Sequence, residues 1–185
     1  MTTTTVIFIV LAILAIAAAV WMYLLMRRTR RLRSRFGSEY DRTVEAEQGR
    51  TKRAEAILER REKRVDKLNI RSLSREERER FAADWRSVQE RFVDDPRGAV
   101  KEADDVVTRA MLARNYPMAD FEQRAADISA EYPDTVQNYR AAHEIASRDP
   151  QRVSTEDLRR AMQHYRSLFE ELVEMPVSQQ KEVYK

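Results

Sequence analysis

The chain has 185 residues, of which 35% are charged, and it contains three glycines and no cysteine. The absence of cysteine excludes disulfides and cysteine-based metal sites, and so few glycines argue against a phosphate-binding loop or a turn-rich β fold. The composition is typical of helices, so we expect an all-α protein with one folded domain beyond any membrane anchor.

The first predicted element is a transmembrane helix over residues 6–26, preceded by a short extracytoplasmic N-terminus, residues 1–5. No charged side chain interrupts the helix, and its length of about 31 Å matches a hydrocarbon core of about 30 Å. Trp21 and Tyr23 lie near its C-terminal end, where amphipathic rings favour the membrane interface. A cleaved signal peptide is the alternative, although signal peptides have a basic start and a shorter apolar run.

An arginine collar follows the apolar run directly. Its members are Arg27, Arg28, Arg30, Arg31, Arg33 and Arg35. Basic residues next to a span are retained in the cytoplasm, so we expect an inner-membrane protein with its N-terminus outside and residues 27–185 inside. The collar is also predicted to contact the lipid bilayer and its anionic headgroups, with Leu32 and Phe36 dipping into the interface. The simpler interpretation is that the collar only sets the topology.

Residues 27–72 form a basic juxtamembrane segment and charged connector with a net charge of +8. Residues 38–70 are rich in Glu, Arg and Lys, which predicts a long solvated helix standing off the membrane. Coiled-coil spacing links Ala54, Leu58, Arg61, Val65 and Leu68. A short dimeric coiled coil is therefore the alternative, although Arg61 interrupts the apolar pattern.

Residues 73–175 predict an antiparallel bundle of about five helices, and residues 176–185 a polar tail. Helix starts are indicated by a capping box at Ser74 and by Asp95 followed by Pro96. Further breaks are expected at Pro117, Pro133, Pro150 and Pro176. Because residues 73–185 carry a net charge of −5, we predict no nucleic-acid binding.

Each predicted helix of the bundle has an apolar face at helical spacing. In chain order the faces are Phe81, Trp85, Val88 and Phe92; Val100, Ala103, Val107 and either Ala110 or Met111; Phe121, Ala125 and Ile128; Val136, Tyr139, His143 and Ala146; and Leu158, Met162, Tyr165, Phe169 and Leu172. We interpret these faces as the core. The alternative for the first face is a ligand site between helices.

No residue pattern predicts a catalytic, cofactor or metal site. His143 and His164 are the only histidines and lack a ligand-pair spacing, and the adjacent Asp104 and Asp105 point to different helix faces. We therefore predict a non-enzymatic, membrane-tethered helical interaction module on the cytoplasmic face, with a protein partner or self-association. The alternatives are a structural homo-oligomer assembled through the connector helix, and an enzyme or small-ligand binder with a pocket in the bundle.

Residues 81–96, FAADWRSVQERFVDDP, resemble a segment of uncharacterised bacterial single-pass membrane-anchored helical proteins from GC-rich genomes. Residues 121–127 and 138–143 are similar to later parts of the same pattern. The resemblance implies a shared helical fold and a membrane location. It implies no activity, cofactor or catalytic residue.

Overall fold

The computed structural model describes residues 3–117 and 119–174, and over these residues the chain is all-helical, without a strand. The eight α-helices are α1 Thr3–Phe36, α2 Ser38–Ala46, α3 Thr51–Val65, α4 Arg75–Arg91, α5 Pro96–Ala113, α6 Phe121–Ile128, α7 Val136–Ser147 and α8 Thr155–Glu174. A single 3-10 turn, Pro150–Arg152, lies between α7 and α8. The predicted tail, residues 176–185, lies outside the described residues.

Helix α1 is long and apolar enough to cross a membrane. An 18-residue stretch within Leu11–Phe36 has a mean hydropathy of 1.7, and none of it is buried within the protein. Trp21, for example, is 69% exposed. The apolar side chains of a core helix in a soluble protein are covered by neighbouring helices, whereas those of this stretch have no cover within the described part of the chain.

The C-terminal end of α1 belongs to a folded juxtamembrane unit, residues 27–66. Leu32 and Phe36 are fully buried and pack with Tyr40, Leu58 and Val65, together with Ala130 from the turn that follows α6. The expectation that Leu32 and Phe36 enter the membrane interface is therefore wrong. Both side chains lie on the side of α1 that α2 and α3 cover, and burial there removes their apolar surface from water.

The predicted connector is two helices, α2 and α3, rather than one helix standing in solvent. Gly37 and Gly49, at the two bends, have φ values of +48° and +79°, which glycine adopts without strain. The coiled-coil positions Ala54, Leu58 and Val65 are buried against the chain's own α1 and α2. Self-association through this face would first have to displace those helices.

The distal helices, α4 to α8, begin at the capping residues that the sequence indicates. The Ser74 hydroxyl accepts a hydrogen bond from the Glu77 amide while the Glu77 carboxylate accepts one from the Ser74 amide, which completes a capping box. Asp95 caps α5, whose first residue is Pro96. Asp120 caps α6, which begins at Phe121, shortly after the expected break at Pro117.

Acid should weaken the start of α4. Hydrogen bonds from Arg71 and from the Ser74 amide lower the pKa of Glu77 to about 2. Because this pKa is depressed on folding, the stabilisation is fully present above the unfolded value near 4.5 and is lost as pH falls toward 2. In the Glu77→Gln variant we expect urea midpoints to fall less steeply between about pH 5 and about pH 3. The control Glu79→Gln should keep the wild-type slope, and equal slopes in all three proteins would contradict this prediction.

The distal helices share one core, and α8 packs against α4, α5 and α7. The predicted inward residues of α8 are all buried: Leu158, Met162, Tyr165, Phe169 and Leu172. In α7, Val136 and Tyr139 are buried as predicted, but Ala142 and Ile145 continue the core face. His143 and Ala146 were expected there and lie outside it, because the buried stripe advances in steps of three residues.

Candidate functional site

The arginine collar lies on the last part of α1 and divides between two sides of the helix. Arg28, Arg31 and Arg35 recur at helical spacing and therefore face α3. Arg27 and Arg30 occupy another side, and both are exposed. The six arginines, which the sequence groups by proximity alone, therefore have different environments.

The arginines facing α3 meet a row of carboxylates on that helix. Arg28 Nε lies 2.6 Å from Glu59 Oε1, and Arg31 Nη2 lies 3.1 Å from Glu62 Oε2. Arg35 contacts both Glu62, at 2.6 Å, and Asp66, at 3.2 Å. These charge-assisted contacts fix α3 beside α1 and leave less of this positive charge for lipid phosphates.

Glu55 links all three helices of the juxtamembrane unit. Its side chain is 7% exposed and accepts hydrogen bonds from the Thr29 hydroxyl at 2.6 Å and the Tyr40 hydroxyl at 3.2 Å. Burial, reinforced by the Glu55 carboxylate, raises the pKa of Tyr40. Tyr40 therefore stays neutral at physiological pH, and its hydroxyl donates a hydrogen bond to the Glu55 carboxylate.

Three collar residues remain turned toward solvent. Arg33 pairs with Asp41 at 2.8 Å, in a contact where both side chains are more than 60% exposed. Among the described residues, Arg27 and Arg30 have no acidic side chain within ion-pair distance. Arg27 also follows the apolar run directly, so positive charge without an acidic partner lies at the end of the apolar part of α1.

The division of the collar predicts different effects on lipid preference. Arg27→Gln/Arg30→Gln should reduce enrichment of anionic lipid on the full chain by about fivefold per residue removed. Arg31→Gln/Arg35→Gln removes the same charge but should change enrichment less, because those arginines are engaged by α3. Native mass spectrometry of the chain released from mixed phosphatidylglycerol and phosphatidylcholine nanodiscs measures both. Equal losses in the two variants would contradict the division.

A buried ionic cluster joins the juxtamembrane unit to the distal helices. Glu39, on α2, is fully buried, and its Oε1 lies 3.1 Å from Arg61 of α3 and 3.1 Å from Arg140 of α7. Gln137 donates to the other carboxylate oxygen at 3.2 Å. Burial lowers the pKa of Arg61, while Glu39 acts in the opposite direction and favours its charged form. We call Glu39, Arg61, Arg140 and Gln137 the Glu39 cluster.

A second contact continues this interface. Arg64 of α3 lies 3.3 Å from the buried carboxylate of Asp127 on α6, which also accepts a hydrogen bond from Gln123 at 2.8 Å. Burial raises the pKa of Asp127 and Arg64 opposes that rise. The distal helices are thus attached through charged groups to the helix pair that packs on α1.

The distal helices also contain an open cleft of about 460 Å³ between α5, α7 and α8. Its walls include Arg97, Lys101, Asp104, His143 and Tyr165. Burial and the neighbouring Asp104 carboxylate raise the pKa of Tyr165. This cleft is the feature that best fits the alternative function, the binding of a small ligand.

The two residues that carry the other ligand alternatives pack against aromatic rings. Trp85 is buried and stacks on Phe169 with ring centroids 4.6 Å apart, so the Phe81/Trp85 face is core. The ring of His143 stacks on that of Phe121 with centroids 3.6 Å apart, and partial burial lowers the pKa of His143. No group of three or more metal-ligating side chains occurs in the part of the chain that the structure describes.

The geometry thus identifies the arginine collar with its α3 partners, and the Glu39 cluster behind it, as the most developed polar site. Comparisons with protein-family models, with curated proteins and with solved structures find no match for this chain.

Proposed function

We propose that this chain is a single-pass protein of the bacterial inner membrane that holds a helical interaction module at the cytoplasmic face. The observation that carries the proposal is the two-part character of α1. Its apolar part has no cover within the protein, while its C-terminal end is built into the juxtamembrane core through Leu32 and Phe36. Because one continuous helix enters both the bilayer and the core of the folded domain, it fixes the position of that domain relative to the bilayer.

The proposed orientation has the N-terminus outside and residues 27–185 in the cytoplasm, because the basic residues follow the apolar run. We infer that α4 to α8 form an antiparallel bundle, since consecutive helices are joined by short turns and α5, α7 and α8 pack side by side. In this proposal the module binds a protein partner.

Capture of partners from cross-linked membranes tests the interaction directly. The wild-type full chain should recover a reproducible partner. The Trp85→Ala variant retains α1 but loses the stack on Phe169, so it should recover less of that partner. Gln89→Ala on the same helix, an exposed position, is the matched control. Absence of any reproducible partner after cross-linking would count against the interaction module.

A small-ligand binder is the second candidate, favoured by the cleft between α5, α7 and α8. A thermal-shift screen of the full chain with metabolites tests it. A ligand whose stabilisation disappears in Lys101→Gln but persists in Lys67→Gln, an exposed lysine outside the cleft, would favour this candidate over the interaction module.

A further inference from the structure

The start of α3 lies beside the end of the apolar part of α1. Four hydrogen bonds connect the two helices, from Thr29, Arg31 and Arg35 to the α3 side, and the partners are 26 to 31 positions apart in sequence in each case. Arg35 meets residues further along α3 than Thr29 does, so the two helices run parallel with an offset of 26 to 31 residues. The first residues of α3, 51–53, are therefore level with residues 20–27 of α1.

This register brings a second set of basic side chains to the membrane boundary. Arg50, Lys52 and Arg53 are exposed at the α2–α3 turn, at the level of Trp21 and Tyr23, the rings expected at the interface. The sequence separates these residues from the apolar run by more than 20 positions, and only the fold of α2 returns them to it. We call Arg50, Lys52 and Arg53 the basic turn.

The local charges of the basic turn leave it net cationic. Arg53 pairs with Glu47 at 3.0 Å, and Arg50 donates to the neutral side chain of Gln48 at 2.9 Å. Lys52 has no acidic partner within ion-pair distance among the described residues. Glu45, the other nearby carboxylate, is exposed on the preceding helix. An exposed cationic turn at headgroup level is suited to phosphate groups.

We propose that the basic turn is a second membrane-contact site, which binds anionic phospholipid headgroups of the bilayer that α1 spans. The inference rests on the proposed membrane insertion of α1. Together with the arginine collar, the basic turn gives the juxtamembrane unit two membrane-contact sites, one on α1 and one at the α2–α3 turn. Two contact sites restrict rotation of the domain about the α1 axis. They therefore determine which face of the distal helices points away from the membrane.

The absence of cysteine makes single-cysteine labelling of the full chain a direct test. A fluorophore at Thr51→Cys in nanodiscs containing headgroup nitroxide lipid should be quenched several times more than one at Lys63→Cys. Lys63 lies on the same helix, about 18 Å further from the membrane at 1.5 Å per residue. Quenching at Thr51→Cys should increase when phosphatidylglycerol is added to phosphatidylcholine.

Charge variants separate headgroup recognition from proximity alone. Arg50→Gln/Lys52→Gln/Arg53→Gln should abolish the increase in quenching with phosphatidylglycerol. Each basic residue removed should lower the equilibrium constant for contact between the turn and the anionic membrane surface by about fivefold. Arg60→Gln/Lys63→Gln/Lys67→Gln removes the same charge from exposed positions further along the unit and should leave the increase intact.

Two outcomes would overturn the inference: equal quenching at the two labelled positions, or an increase with phosphatidylglycerol that the basic-turn variant retains. A label at Ile13→Cys distinguishes this result from failure of the proposed function. Quenching of that label by acyl-chain nitroxide lipid reports α1 in the bilayer. If the Ile13 label is quenched and the Thr51 label is not, α1 spans the membrane and only the basic-turn contact is wrong.

Discussion

Glu39→Ala is expected to destabilise the folded domain by about 3–5 kcal/mol, the cost of removing one partner from a buried ion pair. The Glu39 side chain is fully buried, and those of Arg61 and Arg140 are only 14% and 11% exposed. Alanine at this position would leave two arginines in a poorly hydrated interface without their shared carboxylate. Urea unfolding of the full chain in nanodiscs, followed by Trp85 fluorescence in a Trp21→Phe background, measures the change.

Glu144→Ala is the matched control for this prediction. Glu144 pairs with Arg148 at 2.6 Å, but both side chains lie at the surface of α7, where water replaces the lost contact. We expect its unfolding midpoint to stay at the wild-type value. A Glu39→Ala midpoint equal to that of the control would show that the cluster contributes little to the attachment of the juxtamembrane unit.

Arg114→Met is the second substitution with a large expected effect, about 1–3 kcal/mol of destabilisation for each buried acceptor that it leaves unpaired. Arg114 is fully buried at the end of α5, where its guanidinium donates to the Tyr132 hydroxyl, to the Leu172 carbonyl at 3.1 Å and to the Arg71 carbonyl at 3.2 Å. Methionine fills much of the same volume but donates nothing, so these buried acceptors lose a partner.

Arg109→Met, one and a half turns earlier on α5, supplies the comparison. Arg109 pairs with Asp84 at 2.8 Å, with its side chain 53% exposed. The same urea experiment should give a near wild-type midpoint for Arg109→Met and a much lower one for Arg114→Met. Similar midpoints for both variants would mean that the contacts of Arg114 are replaced without cost.

Features that depend on neighbouring residues could be predicted from the sequence. The capping box at Ser74, the start of α5 at Asp95 and Pro96, and the buried face of α8 are confirmed, because a cap or a helical stripe involves residues within a few positions. The apolar character and length of α1 were equally readable, since both depend on one uninterrupted segment.

The connector could not be predicted in the same way, because its structure depends on distant partners. Glu39 meets Arg140 and Gln137, which lie 101 and 98 positions away in sequence. Arg61 interrupts the coiled-coil pattern because it belongs to the Glu39 cluster, not to an apolar seam. In a segment so rich in charge, no local pattern distinguishes a side chain that meets water from one that meets a buried carboxylate.

The arginine collar shows the same limit within the site. Its position beside the apolar run predicts a role at the membrane for all six members. The pairing of Arg28, Arg31 and Arg35 with α3 depends on the return of the chain through α2, which the sequence does not indicate. Of the six arginines, we now predict that Arg27 and Arg30 contribute most to contact with the membrane.

The most direct test of the proposed function is to measure on which side of the inner membrane each end of the chain lies. Single cysteines at Thr3 and at Glu144, each in the cysteine-free full chain expressed in bacterial cells, can be treated with a membrane-impermeant maleimide. Thr3→Cys should react in cells whose outer membrane alone is permeabilised, and Glu144→Cys only after the inner membrane is broken. Reaction of Glu144→Cys before the inner membrane is broken would contradict a cytoplasmic domain.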